Sequence, residues 1–200
     1  LAQTAPAPVT APPPAITSAD VVARFTPEQQ ENILLLDLST GGRVVIVLRP
    51  DVAPTHVERI KTLTRKGFYN GLVFHRVIEG FMAQGGDPKG TGQGGSDLPD
   101  LKAEFNDLPH MRGTVSMART SDPNSANSQF FIMLQPMLKL DRQYTVFGRV
   151  VWGMKYVDAI ARGEPPANPT KILQASIAAD KKPEPQYPAV KQADDPVAAE

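Results

Sequence analysis

The apolar positions of this chain fall into short runs that begin near Asn32 and are separated by turn-forming residues. Residues 33–39, ILLLDLS, form the first run, STGG follows, and residues 43–48, RVVIVL, form a second run rich in β-branched side chains. Two such runs around a glycine-containing reversal predict a β-hairpin with Gly41 and Gly42 in its turn. The period then changes. In APTHVERIKTLTRKG, Val57, Ile60 and Leu63 recur at helical spacing on one face, and Gly67 stands at the expected stop. Thr55 followed by Glu58 predicts a capping box, each side chain satisfying the other's exposed backbone donor. LVFHRVI, FMAQGG, GTVSMAR, QFFIML and TVFGRVV read as further short strands. GMKYVDAIARG predicts a second helix with Met154, Val157 and Ile160 on one face before Gly163, and TKILQASIA predicts a last strand. Many short strands with two separated helices imply a mainly β, antiparallel barrel or sandwich, since a parallel sheet needs helices in strict alternation.

The ends have a different composition. Residues 1–16, LAQTAPAPVTAPPPAI, carry no charge and little large apolar surface, so a flexible Pro/Ala-rich linker is expected over 1–25. From Asp180 the chain turns charged and proline-rich, which predicts a flexible tail over 181–200 and leaves 26–180 as one domain. A start at Leu1 followed by small residues fits a linker behind a removed secretory signal. A periplasmic or secreted protein is therefore expected, with a cytoplasmic one as the alternative.

Charge narrows the choice of partners. Twenty-one basic and 21 acidic residues cancel, so no stripe attracts nucleic acid. No apolar run reaches the length needed to span a membrane. There is no cysteine, which excludes thiol chemistry and disulfides. His56, His75 and His110 lie far apart without metal-ligand spacing, so neither metal nor cofactor is expected.

Residues 74–95, FHRVIEGFMAQGGDPKGTGQGG, raise a sharper question: an arginine, Arg76, interrupts an apolar run, and glycines follow. Gly90, Gly92 and Gly95 satisfy G-x-G-x-x-G in form. That pattern binds a dinucleotide only when a helix opens on its last glycine. SDLPDLKAEF follows instead and reads as turn, and no lysine with serine or threonine completes a phosphate loop. A connecting surface loop is expected.

Taken in order, FHRVIEGFMAQGGD, SMAR, NSQFFI and LDRQYTVFGRVVWGM resemble the cyclophilin family of peptidyl-prolyl cis–trans isomerases, and its bacterial branch in particular. The resemblance covers roughly residues 31–179. It implies a closed eight-stranded antiparallel β-barrel with a helix capping each end, and a groove on its outer face that accepts an X-Pro peptide. By that resemblance Arg76 is the catalytic residue. Phe81, Met82, Gln84, Ala118, Arg119, Gln129, Phe131, Leu140 and Tyr144 are implied to bind substrate. Strand geometry agrees: Met82 and Gln84 lie two apart, as do Gln129 and Phe131, so each pair shares a face and Phe130 turns into the core. His75, beside Arg76, is expected to be structural and turned to the opposite face.

Three positions depart from the best-known eukaryotic pattern. Arg119 replaces an asparagine, Tyr144 a pocket histidine, and Lys139 a tryptophan that helps bind cyclosporin, so cyclosporin binding is expected to be weak. Trp152, the chain's only tryptophan, lies too far along to substitute. The implied activity is isomerisation of X-Pro bonds in proline-containing peptides and folding client proteins, by a monomer without cofactor. Two other classes remain: a cyclophilin-fold binding module or chaperone without turnover, and a barrel that binds small molecules or nucleotides.

Overall fold

The structure, a computed structural model, describes residues 10–189. The hairpin forms as expected, from β1 (Ile33–Leu38) and β2 (Gly42–Leu48), with Gly41 at positive φ in the turn. β3 (Arg76–Ile78), β4 (Met82–Gly85), β5 (Thr114–Met117), β6 (Phe130–Met133), β7 (Val146–Trp152) and β8 (Ile172–Ile177) complete one sheet. Its order is β3-β4-β6-β5-β7-β2-β1-β8, and every pairing is antiparallel.

The sheet is curled and mainly β as expected, but its ladder does not close. β3 and β8 end it without pairing with one another. The ends meet where the segment before β3 reaches the first residue of β8: Gly71 donates to the Ile172 carbonyl at 2.6 Å and Ile172 donates to the Leu72 carbonyl at 2.8 Å. Next to β3 a single bridge, Val77 with Gly163, is formed before Pro165, Pro166 and Pro169 follow. Proline has no N–H to donate, so that segment cannot extend the ladder.

Inside the curl, Leu34, Leu36, Ile46, Phe74, Phe130, Ile132 and Phe147 make the main core. Two helices pack into it: α3 (Pro54–Arg65) through Val57, Ile60 and Leu63, and α4 (Met154–Asp158) through Val157. Gly67, just past the end of α3, has a φ of 73°, as a stop residue requires. The capping box at Thr55 is not formed. Pro54 opens the helix, which puts Thr55 inside the first turn, and both Thr55 and His56 bind the Glu104 carboxylate instead. α4 is shorter than its periodicity predicts. Arg162 draws in the carbonyls of Asp158 and Ile160 and turns the chain away.

Capping boxes form instead in the expected linker and just past its end. Thr17 and Asp20 cap α1 (Ser18–Val22), and Thr26 and Gln29 cap α2 (Pro27–Gln30), which has Pro27 at its first position. Val22 and Phe25 pack on Ile33, Leu35 and Val45, so β1 is buried on both faces. That second cover is the physical reason its sequence is a nearly continuous apolar run rather than an alternating one. The expected boundary at residue 26 therefore falls inside packed structure. The start of the presumed tail also touches the sheet, because the Tyr187 hydroxyl donates to the buried Asp37 carboxylate at 2.7 Å. Residues 1–9 and 190–200, where flexibility was also expected, lie outside the described residues. No helix among the described residues is long and apolar enough to cross a membrane.

Candidate active site

On the outer face of the sheet, β3, β4 and β6 floor a cleft of about 680 Å³. Alternation along the strands decides what faces it. Ala83, Phe130 and Ile132 join the main core, while Met82, Phe131 and Met133 turn outward into a second apolar cluster. Phe81, Ala118, Leu140 and Tyr144 pack around that cluster and leave its open side toward the cleft. Leu140 arrives on a 3-10 turn, Leu138–Leu140. The Phe131 and Tyr144 rings meet edge to face, with centroids 5.6 Å apart, and make a slot of fixed shape.

The polar side of the cleft is continuous. Arg76 Nη1 is 3.5 Å from Gln84 Oε1, directly across the β3–β4 pairing. Gln84 Nε2 donates to Gln129 Oε1 at 3.0 Å, and Gln129 Nε2 donates to the carbonyls of Gly92 and Gly94 at 3.0 and 2.8 Å. Nine of the ten expected residues line the cleft itself; Gln129 lines the adjoining depression and reaches the cleft through Gln84. Arg119 lines both, but its guanidinium is spent on the carbonyls of Gln143 and Thr120 and lies 4.5 Å over the Tyr144 ring. It braces the wall.

What the glycines enclose is the chain's own carboxylate. Asp87, 1 % exposed, accepts N–H donors from Lys89, Thr91 and Gly92 at 2.6–3.0 Å. A Cβ at Gly94 would run into that carboxylate. Burial pushes Asp87 up, but the backbone donors outweigh it and hold the carboxyl below its usual range. No helix opens on Gly95, as expected for a connector, and the loop forms the rim of the cleft through Gly90–Gln93.

Four neighbours of the site have no signature in the sequence. His75, expected to be structural and turned to the face opposite Arg76, is buried but borders the same cleft under the loop. His110, fully buried, is bonded through Nδ1 to Asp141 and through Nε2 to Ser116, and it stacks on Phe131 at 17° between planes. Burial lowers its basicity, with Asp141 offsetting only part of this. Glu164 and Pro165, joined by a cis peptide bond, close the end of the cleft beside Arg76. An isolated histidine and a G-E-P-P turn read as ordinary structure; only their positions in space link them to the site. Among the described residues no cluster of His, Asp or Glu could hold a metal ion.

Residues 35–177 match the family model of cyclophilin type peptidyl-prolyl cis-trans isomerase. A probable peptidyl-prolyl cis-trans isomerase of Brucella suis is 52% identical over 168 residues, covering 76% of this chain and 85% of that one. The isomerase ppi1 of Schizosaccharomyces pombe is 40% identical, covering 70% of this chain and 96% of its own. Among solved structures, cyclophilin AquaCyp293 of Hirschia baltica superposes with a TM-score of 0.72 at 32% identity, covering 84% and 83% of the two chains. A cyclophilin type isomerase of Cryptosporidium parvum, solved in the presence of the dipeptide ala-pro, gives 0.68 at 28% identity and covers 72% and 98%. The chain belongs to the cyclophilin type peptidyl-prolyl cis–trans isomerase family. Rotation about the bond before proline is the activity of that family, and assistance to protein folding is its general role.

Proposed function

We propose that the groove binds an X-Pro segment with the proline ring in the slot of Phe81, Met82, Phe131 and Leu140, and that Arg76 performs the catalysis. The C–N bond's double-bond character sets a barrier of about 18–20 kcal/mol. No bond is broken on rotation, so the site has only to bind the twisted amide better than the planar one. Twisting localises a lone pair on the prolyl nitrogen. A guanidinium donor there stabilises the twisted state and weakens conjugation, and arginine suits the task because it stays charged and presents its donors in a rigid fork. Gln84 and the Ala118 end of β5 anchor the flanking peptide while the carbonyl side rotates.

The observation that carries this reading is the placement of Arg76 on the rim of an open apolar slot, in line with Gln84. The test is exchange spectroscopy on an Ala-Pro peptide. Wild type should accelerate cis–trans exchange, and Arg76→Ala should lose most of the acceleration. Binding without acceleration would instead favour a module that only holds proline-containing segments. Lys139, exposed beside the slot, supports weak cyclosporin binding; nanomolar inhibition in a titration would contradict it. The uncharged Ala/Pro-rich start supports export, which fractionation of the source cells into periplasm and cytoplasm would test.

A further inference from the structure

Glu164 Oε1 accepts from Arg76 Nε at 2.9 Å. Both side chains are about half exposed, 44% and 56%, so this pair adds little to folding stability. The chain is nevertheless built to hold it. Gly163 and Val77 exchange two backbone bonds, at 2.8 and 2.9 Å, which pin residue 163 to the strand that carries Arg76. Gly163 has a φ of 141°, and a Cβ there would meet the Pro166 backbone at 2.6 Å, so only glycine permits this turn. On the other side Arg162 ties the same turn to Glu79, at 2.6 Å, and to the end of α4. Backbone pairing, a required glycine and a second ion pair all serve to present one exposed carboxylate.

Its geometry on Arg76 is selective. The carboxylate takes Nε, Nη1 leans toward Gln84, and Nη2 makes no bond among the described residues. Holding Nε on Glu164 and Nη1 near Gln84 fixes the plane of the guanidinium and leaves Nη2 as its unengaged donor among the described residues. We propose that Glu164 is a positioning residue for the isomerase: it sets the orientation of the Arg76 fork without touching the substrate. This rests on the isomerase reading of the groove and adds the device that orients its arginine.

The test compares wild type, Glu164→Ala, Glu164→Gln, Arg76→Ala and the Arg76→Ala/Glu164→Ala pair on an Ala-Pro peptide. Glu164→Ala should lower kcat about fivefold with KM within about twofold, because orientation matters in the twisted state more than in the bound ground state. Glu164→Gln keeps an acceptor oxygen and should recover most of the loss. Adding Glu164→Ala to Arg76→Ala should cost nothing more, since the effect passes through the arginine. The Arg76 Nε–H resonance should be sharp in wild type and broadened in Glu164→Ala, while thermal unfolding is unchanged. An unchanged kcat, a faster enzyme, a loss confined to KM, or a further loss in the Arg76→Ala background would each overturn the proposal. A wild type that binds the peptide without accelerating exchange defeats the isomerase reading itself, and the proposal with it.

Discussion

β4 and β6 have two apolar faces that look alike in sequence and do different work. Phe130 turns inward, meeting Tyr69 and Phe74 edge to face inside a sealed core. Its neighbour Phe131 turns outward, meets Tyr144, and keeps one side open to the cleft. The same residue type, one position apart, contributes folding free energy on one face and binding surface on the other. An apolar cluster becomes a site when its last layer of cover is missing and polar groups such as Arg76 and Gln84 stand at the edge.

The comparison breaks if mutations on the two faces have the same consequence. Phe130→Ala should cost about 3–5 kcal/mol of stability, read by chemical denaturation. Unchanged stability would mean that the inner face is not the one that holds the fold. Arg76→Ala should lower kcat/KM by about a hundredfold with little change in unfolding midpoint, because the side chain is exposed on the groove side. A matching loss of stability would erase the distinction. Asp87→Asn should be intermediate, at about 1–3 kcal/mol, together with reduced activity. Its carboxylate holds the loop whose carbonyls hold Gln129.

The smallest effect is the pH dependence of stability. Burial holds His56, His75 and His110 below the ordinary histidine range, and the nearby carboxylates offset this only partly. An unfolded imidazole takes a proton near pH 6.5, the folded ones only at lower pH, so the unfolded state binds more protons in that window. Stability should therefore fall as pH drops through about 6.5 toward 5. Asp87, Glu104 and Asp141, held below their usual range, add a further loss at more acid pH. Midpoints that stay flat from pH 8 to 5 would show that the buried imidazoles ionise as freely in the fold as outside it.

Local pattern determined a good deal of this protein. Short apolar runs bounded by turn residues located eight strands and helical spacing located the two core helices, because each element must bury apolar side chains and its own sequence records them. The ordered motifs around Arg76, Gln84 and Phe131 marked the groove through their resemblance to the cyclophilin family, and strand alternation agreed with the side-chain directions it implies. Other features depend on groups far apart in the chain. Whether Thr55 caps its own helix was settled by Glu104, 49 positions away. Whether residues 17–30 pack was settled by an uncovered second face on β1, and that need cannot be read within the N-terminal segment. Glu164 reaches Arg76 across 88 positions only because a proline-rich turn is pinned beside β3. Backbone periodicity is a property of neighbours and is written locally. Capping partners, covering layers and ion pairs are chosen by closeness in space, and only the folded chain decides that.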